Sequence, residues 1–227
     1  MIVGDLKPLA EIITTVSAFR RVHILGCGAC VSVCLSGGDR EAQQLAMELS
    51  RPGHFENDPP AFTVSTIERQ CENDMLTSFL EIPKKTDAIL SLACGCGVQT
   101  VADVYEPLPV IPALNTTFMG AADKPGVWNE KCRGCGDCML EFTGGICPVS
   151  RCAKSLYNGP CGGSQNGACE IAKDMPCAWA LIFYRLKKQD KLDNLDRLQA
   201  PRDWRTGPGK GTRNRTRTGI GGSASPA

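Results

Sequence analysis

Apolar residues in the first half of the chain alternate between helical spacing and short continuous runs. Helical spacing from Leu6 to Phe19 predicts a helix, and the apolar run Val22–Leu25 predicts a strand. The pattern then repeats three times, with predicted helices near Asp39–Ser50, Asn73–Leu80 and Val98–Tyr105 and predicted strands at Ala61–Ile67, Ala88–Ala93 and Val110–Leu114. Strands that alternate with helices predict an α/β fold with a small, parallel, doubly wound sheet.

The apolar periodicity disappears after Met119, and residues 120–178 are dense in Gly, Cys, Asn and Pro. Helical spacing resumes from Trp179 to Leu186, and from about Ala200 the chain is rich in Gly, Pro, Arg and Ser. These changes predict an α/β domain over 1–120, a loop-dominated cysteine-rich domain with a terminal helix over 121–195, and a tail over 196–227. The tail lacks an apolar face, so we expect it to be disordered or to bind a partner.

Eight of the fourteen cysteines fall between residues 132 and 177: Cys132, Cys135, Cys138, Cys147, Cys152, Cys161, Cys169 and Cys177. Two residues separate each of the first three from the next, and a Cys-Pro pair follows at Cys147. Bacterial ferredoxins use this kind of spacing to bind a cluster from one short loop, whereas zinc sites usually draw ligands from paired knuckles. The segment buries little hydrocarbon, so we expect metal binding to supply much of its folding free energy.

The alternative role for so many cysteines is a set of disulfides in a secreted protein. The first residues lack a basic start, an apolar core and a small-residue cleavage site, so no secretory signal is visible. No stretch reaches the roughly eighteen apolar residues of a membrane span. We therefore expect a cytoplasmic location, where closely spaced cysteines are metal ligands or redox groups rather than disulfides.

The cysteines of the first half occupy the ends of predicted strands. Cys27, Cys71 and Cys94 each follow a predicted strand, and ligands of open α/β sheets bind at the carboxyl ends of the strands. Cys30 and Cys34 follow Cys27 by three and seven residues, which would place them on one face of a helix. These five cysteines predict a second metal site with four ligands, and Cys96 is expected to be dispensable.

Two further hypotheses fit the sequence less well. Gly26-Cys-Gly28 and Cys94-Gly-Cys-Gly97 could be phosphate-binding loops, but the third glycine of a dinucleotide fingerprint is replaced by Val31. A nucleic-acid-binding protein would use the arginine-rich tail, where five arginines and one lysine oppose one aspartate, a balance of +5. Because the rest of the chain is near −4 for a total of +1, the basic surface is confined to the tail, and we expect no nucleic-acid partner.

Several motifs together resemble a known family. The cysteine-rich segment contains Thr143-Gly-Gly-Ile-Cys-Pro148, Arg151-Cys-Ala-Lys154, Asn158-Gly-Pro-Cys-Gly-Gly163 and Gly167-Ala-Cys-Glu170. In this cysteine order the segment resembles the C-terminal domain family of methylenetetrahydrofolate reductase. With Gly26-Cys-Gly-Ala-Cys30, Arg69-Gln-Cys71 and Ser91-Leu-Ala-Cys94 in the first half, residues 1 to about 190 resemble the MetV-type small iron–sulfur subunit of that enzyme.

The resemblance implies a role as a non-catalytic subunit. MetV-type subunits accompany a MetF-type flavoprotein, whose flavin reduces methylenetetrahydrofolate to methyltetrahydrofolate. This chain would hold iron–sulfur clusters and pass electrons to that flavin, with further electron-donating iron–sulfur or flavin subunits upstream. The alternative is a zinc-stapled scaffold subunit without a redox role.

The expected cofactors are two [4Fe–4S] clusters in the cysteine-rich domain and either a third cluster or a zinc ion in the α/β domain. By analogy with ferredoxins, Cys177 would complete the cluster of Cys132, Cys135 and Cys138. Cys147, Cys152, Cys161 and Cys169 would then bind the other cluster. Flavin is expected on the partner alone.

Overall fold

The computed structural model describes residues 1–56, 58–79 and 82–201. The chain divides into two compact units, Met1–Lys131 and Cys132–Ala227. The elements of the first unit are β1 Ile2–Leu6, α1 Leu9–Val16, β2 Arg21–Cys27, α2 Cys30–Val33, α3 Asp39–Leu49, β3 Ala61–Ile67, α4 Asn73–Thr77, β4 Ala88–Leu92, α5 Gly95–Val104, β5 Val110–Pro112, β6 Leu114–Lys124 and β7 Val127–Cys132, the last ending on the first residue of the second unit. The second unit contains α6 Pro148–Arg151, α7 Ala178–Lys188 and a 3₁₀ helix Leu192–Asp196.

A parallel four-stranded sheet forms the centre of the first unit, with the strand order β3-β2-β4-β5. The α/β fold with a parallel sheet is therefore confirmed. The chain leaves β2 toward β3 on one side and returns to β4 on the other side of β2. The carboxyl ends of β2 and β4 thus flank the point at which strand order reverses, where open α/β sheets bind ligands.

Each face of this sheet is covered by helices. On one face α1 and α3 pack against the sheet through a cluster that includes Ile24, Leu45 and Leu90. On the other face α4 and α5 pack through a cluster that includes Leu25 and Ile89. Neighbouring strand residues such as Ile24 and Leu25 serve opposite faces because side chains alternate along a strand. A strand buried on both faces is consequently a continuous apolar run.

A second sheet, with the order β1-β6-β7, was not predicted from the sequence. β1 pairs antiparallel with β6, so that Leu6 lies opposite Leu114. The first helix accordingly begins at Leu9, after an N-cap at Pro8, and not at Leu6 as the apolar spacing suggested. Gly126 follows Pro125 in the connection between β6 and β7 with φ 79°, the positive φ that a type II turn requires after proline.

The second unit has little regular structure and a small apolar centre. Trp179, Ile182 and Leu186 form one buried face of α7, and Ile146 and Cys152 pack with them. Trp179 also donates its indole N–H to the carbonyl oxygen of Leu156 at 3.0 Å. The predicted helix from Trp179 is thus confirmed, and it anchors the loops that carry the cysteines.

Most of the predicted tail, residues 202–227, lies outside the described residues, so its expected disorder stays a prediction. None of the helices in the described part of the chain has the length and apolar character that a bilayer crossing needs.

Candidate metal centres

Three thiols of the first unit come together at the carboxyl edge of the parallel sheet. Cys27 is the last residue of β2, Cys94 is the N-cap of α5 and lies two residues after the end of β4, and Cys71 lies in the loop after β3. Burial raises the pKa of the Cys71 thiol, and proximity to Cys27 and Cys94 raises that pKa further. Cys94 also packs against the buried cluster that contains Cys27, so the structure brings these three cysteines to one edge of the sheet. The metal site itself stays a prediction.

Cys96 also lies beside this group. Burial raises the pKa of its thiol, and so do the nearby charge of Cys94 and a hydrogen bond with Cys94. Cys96 is exposed, whereas Cys94 is half-buried and Cys27 is buried. Proximity to Cys94 alone does not make Cys96 a ligand. The expectation that Cys96 is dispensable for metal binding therefore stays a prediction.

Cys30, the first residue of α2, and Cys34, its C-cap, differ in their surroundings. Cys34 shares a buried cluster with Cys27, against which Cys94 also packs. Its sulfur lies 3.1 Å from Ser36 Oγ and 3.5 Å from the carbonyl oxygen of Val31. Cys30, the first residue of α2, is half-buried and is not a member of this cluster among the described residues.

A buried glutamine supports the loop that carries Cys71. The side chain of Gln70 is fully buried. Its Nε2 donates to the carbonyl oxygen of Leu25 on β2 at 2.8 Å, and its Oε1 accepts a hydrogen bond from Ser91 Oγ on β4 at 2.6 Å. The amide therefore connects the two strands that flank the reversal of strand order, one residue before Cys71.

In the second unit the candidate ligands lie on loops, at helix ends and, for Cys132, at the end of β7. Cys147 and Cys152 are the N-cap and C-cap of α6, and Cys177 is the N-cap of α7. Cys169 is held in a small antiparallel loop, where its N–H donates to the carbonyl oxygen of Met175 at 2.9 Å. The exposed or half-buried members are Cys132, Cys135, Cys138, Cys147, Cys152, Cys161 and Cys169, and Cys177 alone among the eight is buried.

Backbone N–H groups point at two of these sulfur atoms. Gly134 N lies 3.3 Å from Cys132 Sγ, and Gly163 N lies 3.4 Å from Cys161 Sγ. In each case the glycine is two residues after the cysteine, and Gly134 has φ 61°. Such N–H groups stabilise negative charge on sulfur, which is one of the factors that tune iron–sulfur potentials.

Two charged residues accompany Cys161. Lys154 Nζ forms an ion pair with Glu170 Oε1, and Cys161 Sγ lies 3.7 Å from Glu170 Oε2. The hydrogen bond to Glu170, followed by proximity to Cys161, raises the pKa of Lys154. The same hydrogen bond lowers the pKa of Glu170. Both residues are therefore charged at neutral pH.

The donor atoms fit a thiolate-bound metal in kind, although the described residues do not assemble them at coordinating distance. All fourteen cysteines are described, and none of them forms a disulfide. Within the described ranges, no three His, Cys, Asp or Glu side chains are placed to hold a metal ion. The metal sites therefore stay predictions.

Two sets of supporting residues were not predicted from the sequence. Gln70 and Ser91 lie inside quoted motifs, but their pairing depends on tertiary structure. Lys154 and Glu170 likewise sit in motifs, and neither has a sequence neighbour that signals its partner. A polar residue next to a strand-end cysteine is the one signal that could have identified Gln70.

Comparison with known families gives one match. The model of the family described as "Methylene-tetrahydrofolate reductase C terminal" matches residues 111–205, less than half of the chain. No curated protein and no solved structure matches the chain. The matched stretch contains all eight cysteines of the second candidate site. The family's name links this part of the chain to methylenetetrahydrofolate reductase.

Proposed function

We propose that the chain is an iron–sulfur electron-transfer subunit of a methylenetetrahydrofolate reductase complex. In this role it passes electrons to the flavin of a MetF-type partner, which reduces methylenetetrahydrofolate to methyltetrahydrofolate. The observation that carries the proposal is that the match at residues 111–205 contains the whole run from Cys132 to Cys177. Cysteine is the reactive side chain that recurs in this reductase-linked segment. Cysteine thiolates bind iron–sulfur clusters, which transfer single electrons.

The surroundings of the eight cysteines support iron–sulfur ligation. We propose that Cys132, Cys135 and Cys138 hold one [4Fe–4S] cluster together with Cys177. A second cluster would be held by Cys147, Cys152, Cys161 and Cys169. The N–H groups that point at the sulfurs of Cys132 and Cys161 favour the thiolate form that a metal requires. Cys177 is the N-cap of α7, and the N-terminal dipole of this helix favours the same form.

The first unit would hold a third metal. Its ligands would be Cys27, Cys71 and Cys94, with Cys34 or Cys30 as the fourth, and the metal would be an iron–sulfur cluster or zinc. The position of these thiols at the reversal of strand order supports the site. The membership of Cys34 in the same buried cluster as Cys27 favours Cys34 over Cys30.

The proposal assigns no catalytic residue to this chain. Folate chemistry would take place on the flavin of the partner, and the bound iron would supply single electrons to it. The contribution of the chain's own residues is to hold the sulfur ligands at fixed places and to set the charge around them. This division of labour requires a stable complex between the two proteins.

The first experiment is anaerobic purification of the full chain with metal analysis. An iron–sulfur protein should be brown, with broad visible absorbance that bleaches when dithionite is added. A colourless protein that contains zinc alone would replace the proposal with the zinc-stapled scaffold. A Cys96→Ser variant is a matched control, because it loses an exposed thiol outside the proposed ligand sets.

The second experiment tests electron transfer to the partner. The chain should co-purify with a MetF-type flavoprotein, and a low-potential donor should reduce the flavin faster when the chain is present. If the flavoprotein alone accepts electrons from that donor at the same rate, the electron-transfer role is excluded. Co-purification without faster flavin reduction would again favour the scaffold.

A further inference from the structure

Two loops of the second unit meet at Cys161. The first loop, Asn158–Gly163, carries the thiol, and the second carries Glu170 directly after Cys169. Glu170 Oε2 lies 3.7 Å from Cys161 Sγ, while its Oε1 pairs with the ammonium group of Lys154. One carboxylate thus faces a candidate metal ligand on one side and a cation on the other.

Gly163 makes this arrangement possible. A Cβ at this position would overlap the carboxylate of Glu170, so a larger residue would displace the carboxylate from its place beside Cys161. The N–H of the same glycine lies 3.4 Å from Cys161 Sγ. The carboxylate is therefore held against the same short stretch of backbone that donates toward the sulfur.

The charges of Glu170 and Lys154 would shift the reduction potential of a bound cluster in opposite directions. A ligating cysteine is a thiolate, so Glu170 would place a second negative charge beside it. Lys154 offsets that charge, and removing either partner would change the net charge next to the sulfur by one unit. The potential of an iron–sulfur cluster depends on net charge, on hydrogen bonds to sulfur and on solvent exposure.

We propose that the ion pair between Lys154 and Glu170 sets the reduction potential of the iron–sulfur cluster that Cys161 binds. Neither residue is a ligand. Glu170 supplies the negative charge beside the thiolate, and Lys154 compensates that charge and positions the carboxylate of Glu170. The inference rests on the proposed function, because it requires a cluster at Cys161.

The test is a charge cycle in the full chain, purified anaerobically. The variants are Lys154→Met, Glu170→Gln and the double variant, and each is titrated against a redox mediator series with the reduced clusters followed by electron paramagnetic resonance. Glu170→Gln should raise the midpoint of one cluster, because reduction adds negative charge, and Lys154→Met should lower the same midpoint. The side chains are 36% and 32% exposed, so solvent weakens the effect.

A tenfold change in the one-electron equilibrium constant corresponds to about 59 mV, and we expect up to about this shift in each single variant. The double variant should return close to the unmodified midpoint, since the net charge beside Cys161 is restored. Lys173→Met is the matched control, because it removes an exposed lysine near the same loop and should leave the midpoint unchanged. A residue with a merely structural role would not produce shifts of opposite sign that cancel.

The outcomes separate this inference from the proposed function. Iron-free protein from the unmodified chain would refute both. Iron-loaded protein whose midpoints are the same in both single variants would overturn the inference and leave the proposed function intact. If Lys154→Met loses iron, the Lys154→Arg variant provides the test. Retained iron and an unchanged midpoint in Lys154→Arg would support the requirement for a positive charge. Loss of iron from both variants would overturn the inference.

Discussion

Ser91 on β4 donates its hydroxyl hydrogen to Oε1 of Gln70 at 2.6 Å, and both side chains are fully buried. The same amide donates to Leu25 on β2, so one side chain joins the two strands that flank the candidate site. A buried amide with both of its groups satisfied stabilises this one arrangement, because any other leaves a polar group without a partner.

Gln70→Ala should lower the free energy of unfolding by about 1–3 kcal/mol, because the Leu25 carbonyl and the Ser91 hydroxyl lose their partner. Gln43→Ala is the matched control, since Gln43 lies on the exposed side of α3 and its loss should have little effect. Urea unfolding followed by circular dichroism measures both. Equal unfolding midpoints for the two variants would contradict the assigned role of Gln70.

Gly97→Ala should destabilise the first unit, although alanine is the better helix former. A Cβ at Gly97 would lie 2.8 Å from Ala93 Cβ and 2.9 Å from Gln70 Cβ. Overpacking of this kind costs about 1–3 kcal/mol, against about 1 kcal/mol gained in helix propensity. Gly95→Ala on the same helix is the control, because its Cβ would meet only Thr116 Oγ1 at 3.7 Å. The midpoint temperature of thermal unfolding should therefore fall for Gly97→Ala and stay unchanged for Gly95→Ala.

Stability should decrease as the pH falls from about 6.5 to about 4, because His23 is buried in the neutral form. Burial lowers the pKa of His23 from 6.5 to about 4, and its ring nitrogens contact Thr63 Oγ1 at 2.8 Å and Ser65 Oγ at 2.7 Å. Between these pH values the unfolded chain binds more protons than the folded chain. The contribution of neutral His23 to the free energy of unfolding is therefore complete above pH 6.5 and is lost as the pH falls toward 4. The shift corresponds to about 3 kcal/mol.

The measurement is the free energy of unfolding against pH for the unmodified chain, His23→Gln and His54→Gln. The His23 variant should lose the part of the pH dependence that falls between about 4 and 6.5, whatever its absolute stability. The His54 variant should keep it. A pH dependence that is identical in all three proteins would show that His23 is not the titrating group.

If the proposed third metal is present, Cys94→Ser should lower the metal content of the first unit, whereas Cys96→Ser should not. Cys94 is half-buried and packs against the cluster that contains Cys27, while Cys96 is exposed. Elemental analysis of both variants, purified side by side, provides the comparison. Full metal content in Cys94→Ser together with loss in Cys96→Ser would reverse the assignment.

If the proposed clusters are present, Cys135→Ala should reduce the iron content by about one cluster and destabilise the surrounding loop, because bound metal would contribute folding free energy there. Iron analysis and visible absorbance measure the loss. Ser164→Ala in the same unit is a control that removes no thiol. Iron content equal to that of the unmodified chain would refute the place of Cys135 in the ligand set.

The parallel sheet was predictable from the sequence, because strands buried on both faces must be continuous apolar runs. Val22–Leu25 and Ala88–Ala93 come close to such runs, with one polar residue in each, His23 and Ser91, and both lie at the centre of the sheet order. The placement of Cys27, Cys71 and Cys94 at one edge followed from the same pattern, since parallel strands end together. The run from Cys132 to Cys177 was equally visible, because its spacing is local.

The antiparallel sheet was decided by tertiary structure. β6 extends to Lys124, but most of its residues are exposed, so no apolar alternation marks it. Its partner β1 is more than a hundred residues away along the chain, and the pairing depends on backbone hydrogen bonds that any side chain permits.

The same distinction applies to the candidate sites. Sequence by itself determined which thiols are available, since ligand type is a property of single residues. Only the tertiary structure decided what surrounds them: Gln70 beside Ser91, and Lys154 beside Glu170. These contacts join residues 21 and 16 positions apart, and their energies depend on burial and distance, which no local pattern encodes.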